Sequence, residues 1–280
     1  MSAFCGAVAS SIHGRVVTVI RNVLEWVFPI LLVTTGGSTI SEAVSPPKQP
    51  AGQGASLQSV FETEQTARLL AILLDSGRYV INENQELFDD PSKEHKGFSP
   101  EVFEHQLTEV FRSRSGIDLQ DLSAARLPNG GRELLHSLLV VSKRVVAEAQ
   151  ADINRKDVDF KGFIPAVFGA RVAARFTDMT GVRLKQTALA PRNPSNAPDH
   201  FEKMVLQQFA DPSYPREKVI SETIAKSNSL RLMFPLYTTR QCLDCHGEPK
   251  GELDKTGYPR EGLRLGQNGG AISVVIPIGR

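Results

Sequence analysis

Apolar residues recur at helical spacing through Ala67, Leu70, Leu73, Leu74, Val80 and Ile81, the period of a helix with one buried stripe. Ser59-x-x-Glu62 reads as the capping box that opens this helix, and Asp90-Pro91 marks its outer limit. A shorter helix is predicted from Ser99, with Pro100 at its first position and Glu101 in its first turn. Val102, Phe103, Val110 and Phe111 mark its buried side, and Gly116 stops it. The pattern then returns. Residues 69–119 align with 134–184 without a gap, and 16 of the 51 positions are identical. The match includes loop residues: Lys96-Gly97-Phe98-Ser99-Pro100 faces Lys161-Gly162-Phe163-Ile164-Pro165, and Glu83 and Gln85 face Glu148 and Gln150. Two helices of similar polarity would not share a loop, so this is an internal duplication. Two copies are too few for a solenoid. The long helices are expected to pack as a pair, with Leu70, Leu73 and Leu74 against Leu134, Leu135, Leu138 and Leu139. Glu83 and Glu148 are expected to be solvated or capping residues, and no carboxylate pair stands out for acid–base work.

After Gly181 the period changes from helical to alternating. Val182–Thr187 reads as a strand. Pro191–Pro198 is a turn-rich loop, and a helix follows from Pro198-Asp199 carrying Phe201, Met204, Val205, Leu206 and Phe209. Lys218–Ile224 and Leu230–Thr238 are further strands, read as a hairpin across Lys226–Ser229. A Gly/Pro-rich excursion from Gly247 to Gly270 leads to a last strand, Ala271–Ile278. The predicted fold class is α+β: a small antiparallel sheet with helices on one side, preceded by the duplicated helical unit.

The first 58 residues follow neither pattern. Arg15 and Arg21 precede the uncharged run Trp26–Ile40, whose apolar heart, Trp26–Val33, falls short of the ~20 residues a spanning helix needs. Ser41-Glu42-Ala43 places small residues at the positions of a cleavage site, so residues 1–43 read as a signal peptide for export to the periplasm. An uncleaved N-terminal anchor is the alternative. Residues 44–58, rich in Pro, Gly and Gln, read as a disordered linker. The expected organisation is thus signal peptide (1–43), linker (44–58), first helical copy (59–128) and a second unit (129–280) containing the second copy. A net charge of +1 gives no electrostatic footprint for nucleic acid.

The candidate chemistry is Cys242-Leu243-Asp244-Cys245-His246, followed by Gly247. Cys-x-x-Cys-His is the attachment signature of c-type haem. Two thiols on a tight turn can add across the two vinyl groups of one porphyrin, and the adjoining imidazole can ligate the iron. A zinc site would need a second ligand pair at similar spacing, and His136 and His200 are isolated. A thioredoxin-like pair would need a βαβ setting, which the flanks lack. The remaining cysteine, Cys5, lies in the signal region, so the exported chain would keep only the two thiols that haem uses.

These residues together resemble a known family: the c-haem-binding, PAS-like domain found in periplasmic regions of bacterial chemoreceptors and histidine kinases and in stand-alone haem proteins. The resemblance rests on Arg192–Asp199 with Glu202, Pro235-Leu236 before Cys242–Gly247, Tyr258-Pro259, and Gly270–Pro277. It covers the chain from about residue 130 to the end. It implies a PAS-like sheet, one covalently bound haem c with His246 as iron ligand, and a sensing or redox role. Some members look to carry a distal Cys on the helix before the Arg-Asn-Pro loop. Here that helix, Pro165–Thr180, has neither Cys nor His, and Met179 is its one soft candidate. The sequence ends two residues after the last strand, so a sensor is expected to signal through a partner, such as a membrane sensor or a redox protein.

Three functions are expected to compete: a redox or gas sensor module, a periplasmic electron carrier, and a peroxidase-like enzyme needing His136 or His200 beside an open iron. The non-enzymatic readings come first. Arg192 is expected either to pair with a haem propionate or to hold its own proline-rich loop. The first helical copy is expected to be structural, with no haem contact of its own.

Overall fold

Ser56, one turn ahead of the predicted capping box, starts the first helix: its hydroxyl accepts the Ser59 N–H. The computed structural model describes residues 56–128, 130–156 and 158–279. The signal-peptide expectation and all but the end of the linker therefore lie outside the described residues. Leu57 and Gln58, assigned above to that linker, belong to α1. The elements run α1 (Leu57–Glu83), α2 (Gln85–Asp89), α3 (Pro100–Ser115), α4 (Gly131–Glu148), α5 (Gln150–Ile153), α6 (Pro165–Thr180), β1 (Arg183–Thr187), α7 (His200–Phe209), β2 (Ile220–Ile224), β3 (Ser229–Tyr237), α8 (Leu243–His246) and β4 (Asn268–Pro277). As expected, Ser99 caps α3 with Pro100 behind it, and Gly116 and Gly181 end α3 and α6 in the left-handed region.

The duplication explains how the helices interlock. Gln85 Nε2 donates to the Phe163 carbonyl at 2.9 Å, and its equivalent Gln150 Nε2 donates to the Phe98 carbonyl at 3.0 Å. The Lys96 N–H donates to Asn154 Oδ1, and the Lys161 N–H to Asp89 Oδ1. Each copy's helix end thus satisfies the other copy's Lys-Gly-Phe loop, a crosswise exchange that accounts for the repeat of Gln and loop residues alike. At the centre, Phe103 and Phe168 meet with ring centroids 5.4 Å apart, flanked by Phe98 and Phe163. Gly77 makes room for this: a Cβ there would lie 2.7 Å from the Phe168 ring.

The sheet is antiparallel throughout, in the order β1-β4-β3-β2. Alternation along β3 and β4 sends Leu230, Leu232, Ile272, Val274 and Ile276 into one core shared with α1, α3, α4 and α6. Met233 and Ala271 point the other way, against Val205, Leu206 and Phe209 of α7. Helices therefore cover both faces rather than the one expected. The pattern of α7, which buries these three residues while leaving Met204 exposed, is what the second face requires. A mixed α+β fold with a four-stranded antiparallel sheet is the result. Among the described residues, no helix is long and apolar enough to cross a membrane.

Candidate functional site

Where β3 runs out, Thr238 pins the chain to the approach of β4. Its N–H donates to the Gln267 carbonyl, and its own carbonyl accepts the Gly266 N–H, both at 2.9 Å. The backbone then closes a helical turn: Cys242 N–H to Thr239 O, His246 N–H to Cys242 O, Gly247 N–H to Leu243 O. This turn, ending in α8, carries Cys242, Cys245 and His246 together, with both thiols free and all three side chains half-buried. Burial, with the nearby Asp254 carboxylate adding to it, pushes the Cys245 thiol up. From α1, Glu83 Oε1 accepts a 2.9 Å hydrogen bond from Gln241 Nε2 and steadies the turn.

His246 is oriented from behind. Its Nδ1 lies 2.8 Å from Glu261 Oε2. Burial would raise the Glu261 carboxyl, but hydrogen bonds from Arg192 and His246 prevail and hold it below its usual range. An ionised Glu261 accepts from Nδ1–H, which leaves Nε2 as the ring nitrogen with a lone pair to offer. Arg192 is the hub of this support. Its Nε donates to Glu261 Oε1 (2.6 Å), Nη1 to Asp254 Oδ2 (2.6 Å) and Thr256 Oγ1 (3.4 Å), and Nη2 to the Cys245 carbonyl (2.7 Å) and Glu261 Oε2 (2.9 Å). A guanidinium has five N–H donors, and these acceptors use all five. Arg192 therefore has no donor left for a propionate, and the structure gives it the other expected role: it holds the loop, and through Glu261 and the Cys245 carbonyl it holds the Cys-x-x-Cys-His turn. Asp254 is kept well below the ordinary carboxylate range, since bonds from Thr256, Arg192 and Tyr258 outweigh its burial. Glu261 and Asp254 were missed in the sequence because both lie in the aperiodic Gly/Pro-rich excursion, where spacing carries no signal.

Cys242 and His246 line an open cleft of about 160 Å³. Leu236, Tyr237, Thr238 and Thr239 form one wall, with Leu263 and Gly269 beside them. Asp75, Arg78, Tyr79 and Asn82 of α1 and Pro165 of α6 form another. The first helical copy thus takes part in the site, contrary to expectation: α1 is long enough to run from the shared core past the sheet to this cleft. Met179, His105, His136 and His200 are all exposed, and none lines it. A second depression of about 500 Å³ shares Tyr237 with the cleft and carries Tyr214, Arg216 and Arg264, but neither cysteine nor His246. Among the described residues, no group of three or more His, Cys, Asp or Glu is arranged to hold a bare metal ion.

The residues fit a porphyrin held by thioethers. They offer two thiols outside any disulfide on one turn, and an adjoining imidazole fixed at Nδ1 and lining an open cleft with Cys242. No curated protein matches the chain. Among solved structures, the crystal structure of the cyanobacterial heme-protein Tll0287 is similar at 20% identity, with a TM-score of 0.37, over 54% of this chain and 96% of that one. A family model described as Tll0287-like matches residues 57–277, which span α1 to the end of β4. The chain belongs to the Tll0287-like family.

Proposed function

We propose that this is a haem-binding protein of the c type, with one haem joined to Cys242 and Cys245 and ligated through His246. The observation that carries the reading is the single turn bearing all three residues at the cleft, with His246 Nδ1 committed to Glu261. When bound, the haem supplies an iron able to change redox state or take a small ligand. The chain's own residues bind and orient. The thiols fix the porphyrin, Glu261 keeps the imidazole in the tautomer that offers Nε2, and Arg192 keeps Glu261 ionised. Membership of the Tll0287-like family supports haem binding as such, since Tll0287 itself is described as a heme-protein.

Among the alternatives, the cleft favours a redox or gas sensor module built on a PAS-like sheet over an electron carrier. A carrier is served by a strong distal ligand such as Met or His, and among the described residues no Met and no second His lines the cleft. The peroxidase-like reading lacks support from His136 and His200, which lie elsewhere. We place the protein in the periplasm, exported by residues 1–43 or anchored by them, with a membrane sensor or redox protein as partner. The absorption spectrum of the reduced protein with and without carbon monoxide tests the sensor reading. The expected result is a carbon monoxide adduct formed readily. An unchanged low-spin spectrum would favour the carrier.

A further inference from the structure

We infer that Arg78 of α1 receives the propionate carboxylates of the porphyrin, an assignment that rests on the haem reading above. A haem brings two carboxylates, and a half-buried site needs a cation to meet them. Among the described residues, Arg78 is the one Lys or Arg that lines the cleft. Its Nε is buried and has no partner among the described residues, whereas a buried charged donor ordinarily has one.

The local charge balance agrees. Arg78 Nη1 pairs with Asp75 Oδ1 at 2.7 Å, but Asp75 Oδ2 is taken at 2.7 Å by Arg114 Nη2 of α3. Arg114 is further held through Nη1 by Ser76 Oγ at 3.2 Å. One carboxylate thus serves two guanidiniums, and the group of three carries a net positive charge. Asp75 also fixes the Arg78 fork, so the free Nε edge is held in place before any anion arrives. The two other placements are weaker. Arg192 has spent its five donors on the protein. Arg216 and Arg264 belong to the neighbouring depression, both are exposed, and Arg216 lies over the Tyr237 ring at 5.2 Å.

The test uses the full chain matured with haem, read by resonance Raman spectroscopy in the propionate bending region and by the midpoint potential. In Arg78→Gln the bending mode moves to lower frequency, as a charge-assisted bond is lost. The potential falls too, because a positive charge near the haem disfavours ferric iron. Arg78→Lys, which keeps the charge but not the fork, recovers the potential more fully than the mode and serves if the Gln variant is poorly folded. Arg264→Gln leaves both unchanged. An unshifted mode in both Arg78 variants, or a shift produced by Arg264→Gln, overturns the assignment while leaving the haem reading intact. Wild-type protein that emerges from a maturation-competent host without covalent haem removes that reading, and the role of Arg78 with it.

Discussion

Phe168→Ala is expected to destabilise the fold by about 3–5 kcal/mol, the usual cost of truncating a buried Phe with its cavity term. The ring is fully buried and sits where the two copies meet, 5.4 Å from Phe103 and 6.3 Å from Phe163. Collapse around the lost ring is poor because the wall opposite is Gly77, which has no side chain to lean in, and because Phe103 is already packed against Phe98. Denaturant unfolding followed by circular dichroism measures the loss. A cost below about 1 kcal/mol would mean that the aromatic centre is not what joins the copies.

Arg192→Gln is expected to cost a similar amount, about 3–5 kcal/mol, by leaving a buried acid without its cation. The Asp254 side chain is fully buried, and Glu261 is partly so. Both carboxyls titrate below their ordinary range in the folded protein, held there by Arg192 among other donors in spite of burial. A group depressed in the fold stabilises it fully above its unfolded pKa, about 4 for these acids, and loses that contribution as the pH falls through the folded value. The gap between wild type and Arg192→Gln should therefore be full near neutrality and narrow below about pH 4. Unfolding curves at both pH values check this, and a gap that widens in acid would contradict the assignment. Since Arg192 also grips the Cys245 carbonyl, the variant that still folds should hold its Cys-x-x-Cys-His turn less firmly.

Much of this was legible in the sequence because it is periodic or local. The duplication was read from matched loops as well as leucines, the four strands from alternation, and the thiol–imidazole turn from adjacent residues. The crosswise bonds of Gln85 and Gln150 were not legible, since each joins one copy to a loop of the other. The reach of α1 to the cleft was hidden for a similar reason: its leucine stripe reports the shared core, while Asp75, Arg78 and Tyr79 look like an ordinary solvated face. Arg192 was singled out, but its acceptors Asp254 and Glu261 stand 62 and 69 residues away in a stretch without period. Choosing between propionate and loop needed those acceptors.

Covalent attachment is tested most directly by mass spectrometry of the protein purified from a host able to mature c-type haem, after acid–acetone extraction. The predicted result is a chain heavier by one haem, with the added mass on the peptide containing Cys242 and Cys245 and neither thiol open to alkylation. A colourless chain of unmodified mass, with both thiols alkylated, would contradict it.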